Sequence, residues 1–202
     1  MSRPGTGFSR VDEGDMRHDA AARRRAAARL GVTEKWASVT QVHGRDVCRV
    51  ARPGPAGSAD ALYTSVPGVV LSVFTADCLG IVLSGPGMVG VAHAGWRGLS
   101  AGVLEALIDE MVGAGVVPER ADIGPGIGPC CFEVGDEVAA RFPDSVSATT
   151  WGTTSVDLVG AARRRLDGLD VEADNRCTFC QGGFSHRRDR TPARMATLGW
   201  IP

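Results

Sequence analysis

The sequence has little net charge and no long hydrophobic run. Its 22 lysines and arginines nearly balance 23 aspartates and glutamates, leaving a formal net charge of -1. We therefore expect neither nucleic acid nor an anionic membrane surface as a partner. No apolar stretch approaches the ~20 residues that span a bilayer, and the N-terminal residues lead into no hydrophobic signal stretch. These absences predict a cytoplasmic protein.

The six cysteines do not have the density of a small secreted disulfide scaffold. In a cytosolic chain of 202 residues, cysteines are better explained as thiols or metal ligands. A chain of this length buries a full core as one unit, and no segment is typical of a linker. We therefore expect one domain over residues 1–202, acting as a monomer or weak oligomer.

Hydrophobic periodicity predicts interleaved helices and strands. The Ala/Arg stretch 19–30 favours a helix that ends at Gly31, with its arginines on a solvated face. A second helix is expected to begin directly after Gly98, which places Arg97 at its N-terminus. Further helices are predicted at 136–142 and 156–166, and strands at 36–42, 47–50, 69–74, 79–83 and 88–92. Because the last two strands form a hairpin, we expect a mixed-sheet α/β or α+β fold with several layers.

Two segments rich in proline and glycine are expected to be irregular. Residues 52–58 predict a mobile loop, and residues 123–129 predict a binding loop that leads into Cys130 and Cys131.

The hairpin suggests a metal site. A symmetric turn between Gly85 and Pro86 would pair Leu83 with Met88 and, by the same register, Cys78 with His93. Directly opposed Cβ atoms lie roughly 4.5–5.5 Å apart, which lets a thiolate and an imidazole reach one zinc ion. His43, which ends the strand at 36–42 beside a glycine, is the best third ligand. Three ligands would leave a fourth position for water or substrate, as in catalytic zinc sites. The alternative is a buried thiol beside a hydrogen-bonded core histidine.

Four other side chains carry alternative interpretations. Arg97 either lies on the surface or holds an anion together with backbone N–H groups at the helix start. Arg187 and Arg188 could hold the same anion, although a pair beside Asp189 more often forms surface ion pairs. Asp77 is either a structural turn carboxylate or a group that orients a ligand histidine or acts as a general base.

The remaining cysteines admit a second metal site. Cys177 and Cys180 have the two-residue gap of zinc ribbons. However, Cys130 and Cys131 are adjacent, and no second two-residue gap exists. Buried thiols that line the pocket are therefore the favoured interpretation.

Several motifs together resemble the YfiH-like proteins. The resemblance runs from about Val39 to the end of the chain and rests on residues 41–44 (QVHG), 75–79 (TADCL), 92–98 (AHAGWRG), 124–135 (GPGIGPCCFEVG), 177–180 (CTFC) and 184–189 (FSHRRD). Two departures stand out. The sequence runs from Gly7–Arg10 quickly into the Ala/Arg helix, without the longer N-terminal segment of the family, and His186 stands where an aromatic such as tyrosine is expected.

The resemblance implies a layered α-β-β-α sandwich, similar to the catalytic domain of cytotoxic necrotizing factor. It also implies a zinc ion held by His43, Cys78 and His93, and purine-nucleoside chemistry. That chemistry comprises phosphorolysis of adenosine, inosine and methylthioadenosine, and deamination of adenosine, so the expected partners are a nucleoside and phosphate. We expect catalytic roles for two residues and substrate contacts from five more: Asp77 and Arg97, then Gln41, Trp96, Cys130, Arg187 and Arg188.

Three rival functions remain. The family was long labelled a polyphenol oxidase or laccase, which needs copper, but four histidines fall short of a multicopper cluster. A Cys/His hydrolase would use Cys78 as a nucleophile activated by His93. A zinc-containing binding module would have no catalytic role.

Overall fold

A computed structural model describes residues 4–202. Thirteen strands form most of its framework: β1 Gly5–Phe8, β2 Trp36–Thr40, β3 Val47–Arg49, β4 Gly54–Ser58, β5 Ala61–Thr64, β6 Val70–Thr75, β7 Leu79–Gly85, β8 Met88–Ala94, β9 Arg120–Ile123, β10 Val146–Ala148, β11 Thr154–Val156, β12 Asp170–Ala173 and β13 Met195–Trp200. Six α-helices accompany them: α1 Ala20–Leu30, α2 Trp96–Ala101, α3 Val103–Gly113, α4 Asp136–Ala139, α5 Leu158–Arg165 and α6 His186–Asp189. Two 3-10 helices span Val11–Glu13 and Pro143–Ser145.

Two mixed sheets lie face to face between layers of helix. The first has the strand order β1-β13-β6-β2-β4 and the second has the order β12-β9-β7-β8-β5-β3, while β10 and β11 form a small ribbon. The buried core between the sheets includes Leu71, Val73, Val82 and Val91. Helix α1 packs on the outer face of the first sheet, and α3 and α5 pack on the outer face of the second. The predicted α-β-β-α sandwich is therefore confirmed.

The register of the β7–β8 hairpin differs from the prediction by two residues. Gly85 pairs with Met88, so Gly80 and not Cys78 lies opposite His93. The connection is a two-residue turn, in which Gly87 adopts a φ of 72° that suits glycine. Because side chains alternate with a period of two, a shift of two residues preserves the face. Cys78 and His93 thus remain on the same side of the hairpin, as diagonal neighbours.

The helices at 20–30 and 96–113 begin and end at identifiable residues. The Asp19 side chain accepts a hydrogen bond from the N–H of Ala21, and Gly31 ends α1 in the left-handed conformation, as predicted. The second helix begins at Trp96, earlier than predicted, and is broken at Gly102, whose φ is 88°. Arg97 accordingly lies in the first turn of α2.

The prediction of a mobile loop at residues 52–58 was wrong. Residues 54–58 form the edge strand β4, which pairs in parallel with β2. An edge position tolerates the proline and glycines of this segment because one side of the strand needs no backbone partner. The strands β2 and β3, which are consecutive in the chain, lie in different sheets. The turn between them therefore carries the chain from one sheet to the other and positions His43 at the point of crossing.

The helices of the described part of the chain are short. The longest, α1 and α3, have 11 residues each. No helix within residues 4–202 has the length and apolar character needed to cross a bilayer.

Candidate active site

The three predicted metal ligands meet where the two sheets come together. His43 follows β2, Cys78 directly precedes β7, and His93 lies near the end of β8. One ligand atom of each lies within 4.8 Å of those of the other two. The two imidazole rings stand edge to face, with 4.8 Å between their centroids. His93 is buried, Cys78 is half-buried and His43 is exposed. The group is therefore anchored on one side and open to solvent on the other.

A glycine makes room for the thiol. The hairpin register, continued one step beyond the paired strands, places Gly95 opposite Cys78. A Cβ atom at position 95 would lie 2.7 Å from the Cys78 sulfur. Any larger residue at this position would therefore displace the Cys78 side chain.

Asp60 holds two of these residues in place, although no motif in the sequence marks it as a site residue. Its carboxylate lies 2.8 Å from Nδ1 of His93 and is fully buried. It also accepts hydrogen bonds from the backbone N–H groups of His43 at 3.0 Å and Gly44 at 2.6 Å. These bonds stabilise the turn that gives His43 its left-handed φ of 63°. The one feature of the sequence that could have indicated Asp60 is its position as a lone carboxylate directly before the apolar strand β5.

The electrostatics of the group favour an anionic sulfur. Burial alone would raise the pKa of Cys78, but hydrogen bonds and charge from His43 and His93 lower it to about 6. Burial alone would lower the pKa of His93, but Asp60 and Cys78 raise it to about 9. Burial also works to raise the pKa of Asp60, yet its bonds to His93 and Gly44 lower it. Cys78 is therefore a thiolate at neutral pH.

The donor set fits a single metal ion. Because Nδ1 of His93 faces Asp60, its Nε2 is the atom available to a metal, an arrangement common for ligating histidines. One thiolate and two imidazoles are donors that zinc accepts in tetrahedral sites, with bonds of about 2.0–2.3 Å. Three donors and an exposed side leave a further position for water or substrate.

A cavity of about 320 Å³ opens over the three residues. This volume lies at the low end of the range for small-molecule sites. Eight of the ten residues predicted to act in catalysis or binding line it: Gln41, His43, Asp77, Cys78, His93, Trp96, Arg97 and Arg187. The other two, Cys130 and Arg188, lie outside its lining.

The cavity wall is rich in arginine. Arg97 lies over the ring of Trp96 at 4.4 Å, and Arg187 lies over the ring of Phe132 at 5.2 Å. Arg17 and Arg194 also line the cavity, although no sequence pattern marked them. Four guanidinium groups around one cavity favour an anionic ligand.

The Asp77 carboxylate forms hydrogen bonds that hold two segments of the chain together. Its carboxylate accepts hydrogen bonds from the Thr178 hydroxyl and from the backbone N–H of Arg187, each at 2.7 Å. Its φ of 85° is rare for a residue other than glycine. Within the described chain, its carboxylate forms no hydrogen bond with either ligand histidine. It therefore connects the turn before β7 to the C-terminal segment that carries Arg187.

The Gln41 side chain also forms hydrogen bonds with the backbone. Its amide donates to the carbonyl oxygen of Phe74 and accepts from the N–H of Phe74, both at 2.8 Å. It thus lines the cavity while extending the contact between β2 and β6.

Some side chains of the C-terminal motif at 184–189 line the cavity, whereas others hold the surrounding backbone. Arg188 forms an ion pair with Asp189 at 2.6 Å, and its guanidinium donates to backbone carbonyls of Thr178, Phe179 and Gly183. His186, in contrast, lines the cavity. Of the arginine pair, Arg187 alone therefore faces the site.

A larger cavity of about 740 Å³ lies elsewhere, between the N-terminal residues and the segment 176–183. It contains none of the predicted site residues. The smaller cavity carries the predicted metal ligands and is the candidate active site.

Comparisons with known proteins support the fold and the family resemblance. The family described as "Multi-copper polyphenol oxidoreductase laccase" matches residues 7–202. The chain belongs to this family. Its relatives include the "Purine nucleoside phosphorylase ORF3" of Streptomyces griseus, 41% identical over 90% of this chain and 80% of the relative. The "Purine nucleoside phosphorylase YfiH" of Escherichia coli is 38% identical over 89% and 79% of the two chains.

Solved structures of the YfiH-like family share the fold. YlmD from Geobacillus stearothermophilus is 31% identical, with a TM-score of 0.85 over 98% of this chain and 91% of that one. The YfiH protein of Bacillus licheniformis is 26% identical, with a TM-score of 0.80 over 93% and 82% of the two chains. The resemblance inferred from the sequence motifs is therefore confirmed.

Proposed function

We propose that this protein is a zinc-dependent purine nucleoside phosphorylase. Its substrates would be adenosine, inosine and methylthioadenosine, and it would also deaminate adenosine. The observation that carries the proposal is the open His43–Cys78–His93 group beneath a cavity lined by arginines. The names of the relatives in Streptomyces griseus and Escherichia coli support the phosphorylase part.

The residues of the cavity have separable roles in this proposal. A zinc ion on His43, Cys78 and His93 would supply Lewis-acid chemistry. Phe74, Ile127 and Phe132 provide apolar wall for a flat purine. Arg97 and Arg187 provide guanidinium donors for the phosphate that attacks the ribose, because a guanidinium fork matches phosphate oxygens. In phosphorolysis a phosphate oxygen bonds to the ribose carbon as the carbon–nitrogen bond to the base breaks.

The two activities differ in their need for an anion. Phosphorolysis consumes phosphate, whereas deamination replaces the purine amino group with oxygen from water and releases ammonia. The arginines are therefore required by only one of the two reactions, while the metal ligands and the apolar wall serve the shared nucleoside.

The direct test is product analysis with adenosine, in the presence and absence of phosphate. We expect adenine to appear only with phosphate. Deamination should occur in both conditions, as inosine without phosphate and as inosine plus the hypoxanthine released from it with phosphate. Cys78→Ala should abolish both products. Cys48→Ala is the matched control, because Cys48 lies outside both cysteine-containing clusters. Adenine release that is independent of phosphate, or activity retained by Cys78→Ala, would contradict the proposal.

A Cys/His hydrolase is the second candidate, favoured by the low pKa of Cys78 beside His93. The two functions predict opposite reactivity toward an alkylating reagent. A ligating Cys78 should be protected until a chelator removes the metal, whereas a nucleophilic Cys78 should react at once. Mass spectrometry of the metal-loaded protein after brief alkylation separates them, since rapid modification with metal retained would favour the hydrolase.

The copper oxidase is less well supported. The family description names a multi-copper enzyme, but such a cluster needs more imidazole ligands than this chain offers. Of its four histidines, His18 is exposed and bonded to Asp15. The remaining three surround one cavity.

A further inference from the structure

Four of the six cysteines form a second cluster outside the candidate active site. Cys130 and Cys131 end the loop that follows β9, and Cys177 and Cys180 follow β12. All four sulfur atoms lie within 4.8 Å of one another. The sequence favours buried thiols that line the pocket, yet none of the four lines the cavity above His43, Cys78 and His93. Their convergence from two distant segments therefore needs another explanation.

The spacing of the sulfurs suits one tetrahedral ion. With zinc–sulfur bonds of about 2.3 Å, two thiolate ligands of a tetrahedral site are separated by about 3.8 Å. The sulfurs of Cys130 and Cys180 are 3.8 Å apart. This separation is far longer than the ~2.05 Å of a disulfide bond. The cluster is also compact for an iron–sulfur centre, whose thiolates surround several iron atoms.

The backbone around Cys177 is arranged for an anionic sulfur. The N–H of Gly128 donates to its sulfur at 3.2 Å. Such a donor favours the thiolate, which is the form that binds zinc. The two-residue gap between Cys177 and Cys180 lets both sulfurs of this segment lie within 4.8 Å of each other.

The four cysteines join two loops that form the active-site wall. The segment around Cys130 and Cys131 also carries Ile127 and Phe132, which line the cavity. The segment of Cys177 and Cys180 contains Thr178, whose hydroxyl holds the Asp77 carboxylate. A single parallel bridge, between Gly126 and Cys177, connects the two segments through the backbone. An ion held by all four sulfurs would fix the loops to one another.

We propose that Cys130, Cys131, Cys177 and Cys180 form a second zinc site, closed by four thiolates and structural in role. Four protein ligands leave no position for substrate, as in structural zinc sites. The site is independent of the His43 group and of the reaction assigned to it, so its test needs no nucleoside.

The test counts metal in purified protein by mass spectrometry. The parent should hold about two zinc ions per chain and Cys78→Ala about one. Cys180→Ser should also hold about one, and combining it with Cys78→Ala should leave almost none. Cys180 is the preferred position because it is exposed, so the substitution disturbs little packing. Cys48→Ser is the matched control and should keep both ions.

A spectroscopic measurement covers the case in which Cys180→Ser folds poorly. Cys78→Ala protein, stripped and reloaded with Co²⁺, should show the intense sulfur-to-cobalt absorption of a tetrahedral four-thiolate site. Its absence would overturn the proposal. A parent with one zinc ion that is lost entirely in Cys78→Ala would overturn it too, as would a Cys130–Cys180 disulfide in freshly purified protein.

Discussion

At the scale of single residues, Asp60 connects more of the candidate active site than any ligand does. Its carboxylate orients the His93 ring and holds the turn that presents His43. Neither contact is visible in the sequence, because Asp60 is 33 positions from His93 and carries no motif of its own. The predicted ligands were identified by residue type, spacing and family resemblance, whereas their supporting carboxylate depends on three-dimensional packing.

Asp60→Asn should weaken metal binding. The single amide oxygen can accept from the backbone N–H of His43 or of Gly44 but not from both sides, and the amide cannot match the charge that fixes the His93 tautomer. Loss of such a supporting group typically costs about 10–100-fold in metal affinity. Competition with a chromophoric chelator measures the affinity. Asp122→Asn is the control, since Asp122 is also a buried carboxylate but pairs with Arg120 on β9. Equal affinities in Asp60→Asn and the parent would remove Asp60 from this role.

Arg97 should separate the two proposed activities. If its guanidinium holds phosphate, Arg97→Lys should raise the phosphate concentration for half-maximal rate by about tenfold or more, since a charge-assisted hydrogen bond is worth about 1.5–3 kcal/mol. Deamination should change little, because it uses no anion. Adenine, and the sum of inosine and hypoxanthine as the measure of deamination, are followed in parallel across a phosphate titration, with Arg97→Ala as the stronger variant.

Arg24→Lys, on the exposed face of α1, is the control for this substitution. A parallel fall of both activities would assign Arg97 to the nucleoside or to the scaffold. No change in either would move the phosphate to Arg187, the other predicted arginine on the cavity wall.

At the scale of elements, the sequence was most informative where local chemistry determines structure. The helix from Ala20 to Leu30 has a capping aspartate at one end and a glycine at the other, and both act within a few residues. The β7–β8 hairpin was also predicted, but its register depends on turn geometry, which a Gly-Pro-Gly sequence leaves open. Cys78 and His93 still lie on the same face of the hairpin, because the observed register differs from the predicted one by two residues.

Elements that depend on distant partners were predicted less well. Edge strand β4 consists of residues typical of a loop and is a strand only because β2 lies beside it. The break at Gly102 was missed because the apolar periodicity continues through it. Arg17 and Arg194 reach the cavity from opposite ends of the chain, so no local pattern could identify them. The convergence of the four cysteines could only be an open alternative for the same reason, since its two halves meet only in the fold.

Gly95, the N-cap of helix α2, leaves room for the Cys78 sulfur. Gly95→Ala should test whether the candidate metal site needs this space. The new Cβ would lie 2.7 Å from the Cys78 sulfur, so the thiol must move away from the two histidines. We expect the variant to fold but to lose most of the metal bound by the His43 group, as measured by zinc content.

Gly135→Ala is the matched control for this steric effect. Gly135 is the N-cap of α4 with φ -82° and ψ 171°, close to the -74° and 172° of Gly95. A Cβ at position 135 would meet nothing within 4 Å. Full zinc content in Gly95→Ala would show that the Cys78 position is not critical, whereas loss in both variants would indicate a general capping effect.

At the scale of the whole molecule, the active site depends on segments that the two sheets bring together. His43 and Asp77 follow strands β2 and β6 of the first sheet, whereas Cys78 precedes β7 and His93 lies in β8 of the second. Metal binding at their junction should therefore stabilise the complete fold, because the ligands are assembled only in the folded state. The protonation of those ligands makes this stabilisation dependent on pH.

The metal-free fold holds a proton on His93 and none on Cys78 across the neutral range. The pKa of His93 is raised from 6.5 to about 9, so this group stabilises the metal-free fold below pH 6.5 and loses that effect as the pH rises through 9. The pKa of Cys78 is lowered from 9.0 to about 6, so its contribution is present above pH 9 and is lost as the pH falls through 6. Zinc must displace the His93 proton between these values.

The stabilisation by zinc at this site should consequently grow with pH. Displacing one proton makes the affinity rise about tenfold per pH unit, equivalent to about 1.4 kcal/mol of unfolding free energy at fixed excess zinc. Thermal unfolding of zinc-loaded and metal-free protein from pH 6 to 9 should give midpoints that diverge as the pH rises. Subtracting the same difference for Cys78→Ala removes the contribution of the cysteine cluster. Asp60→Asn should flatten the dependence, because His93 then loses the charge that retains its proton. A difference between the two midpoints that does not change with pH would mean that His93 is already neutral in the metal-free protein.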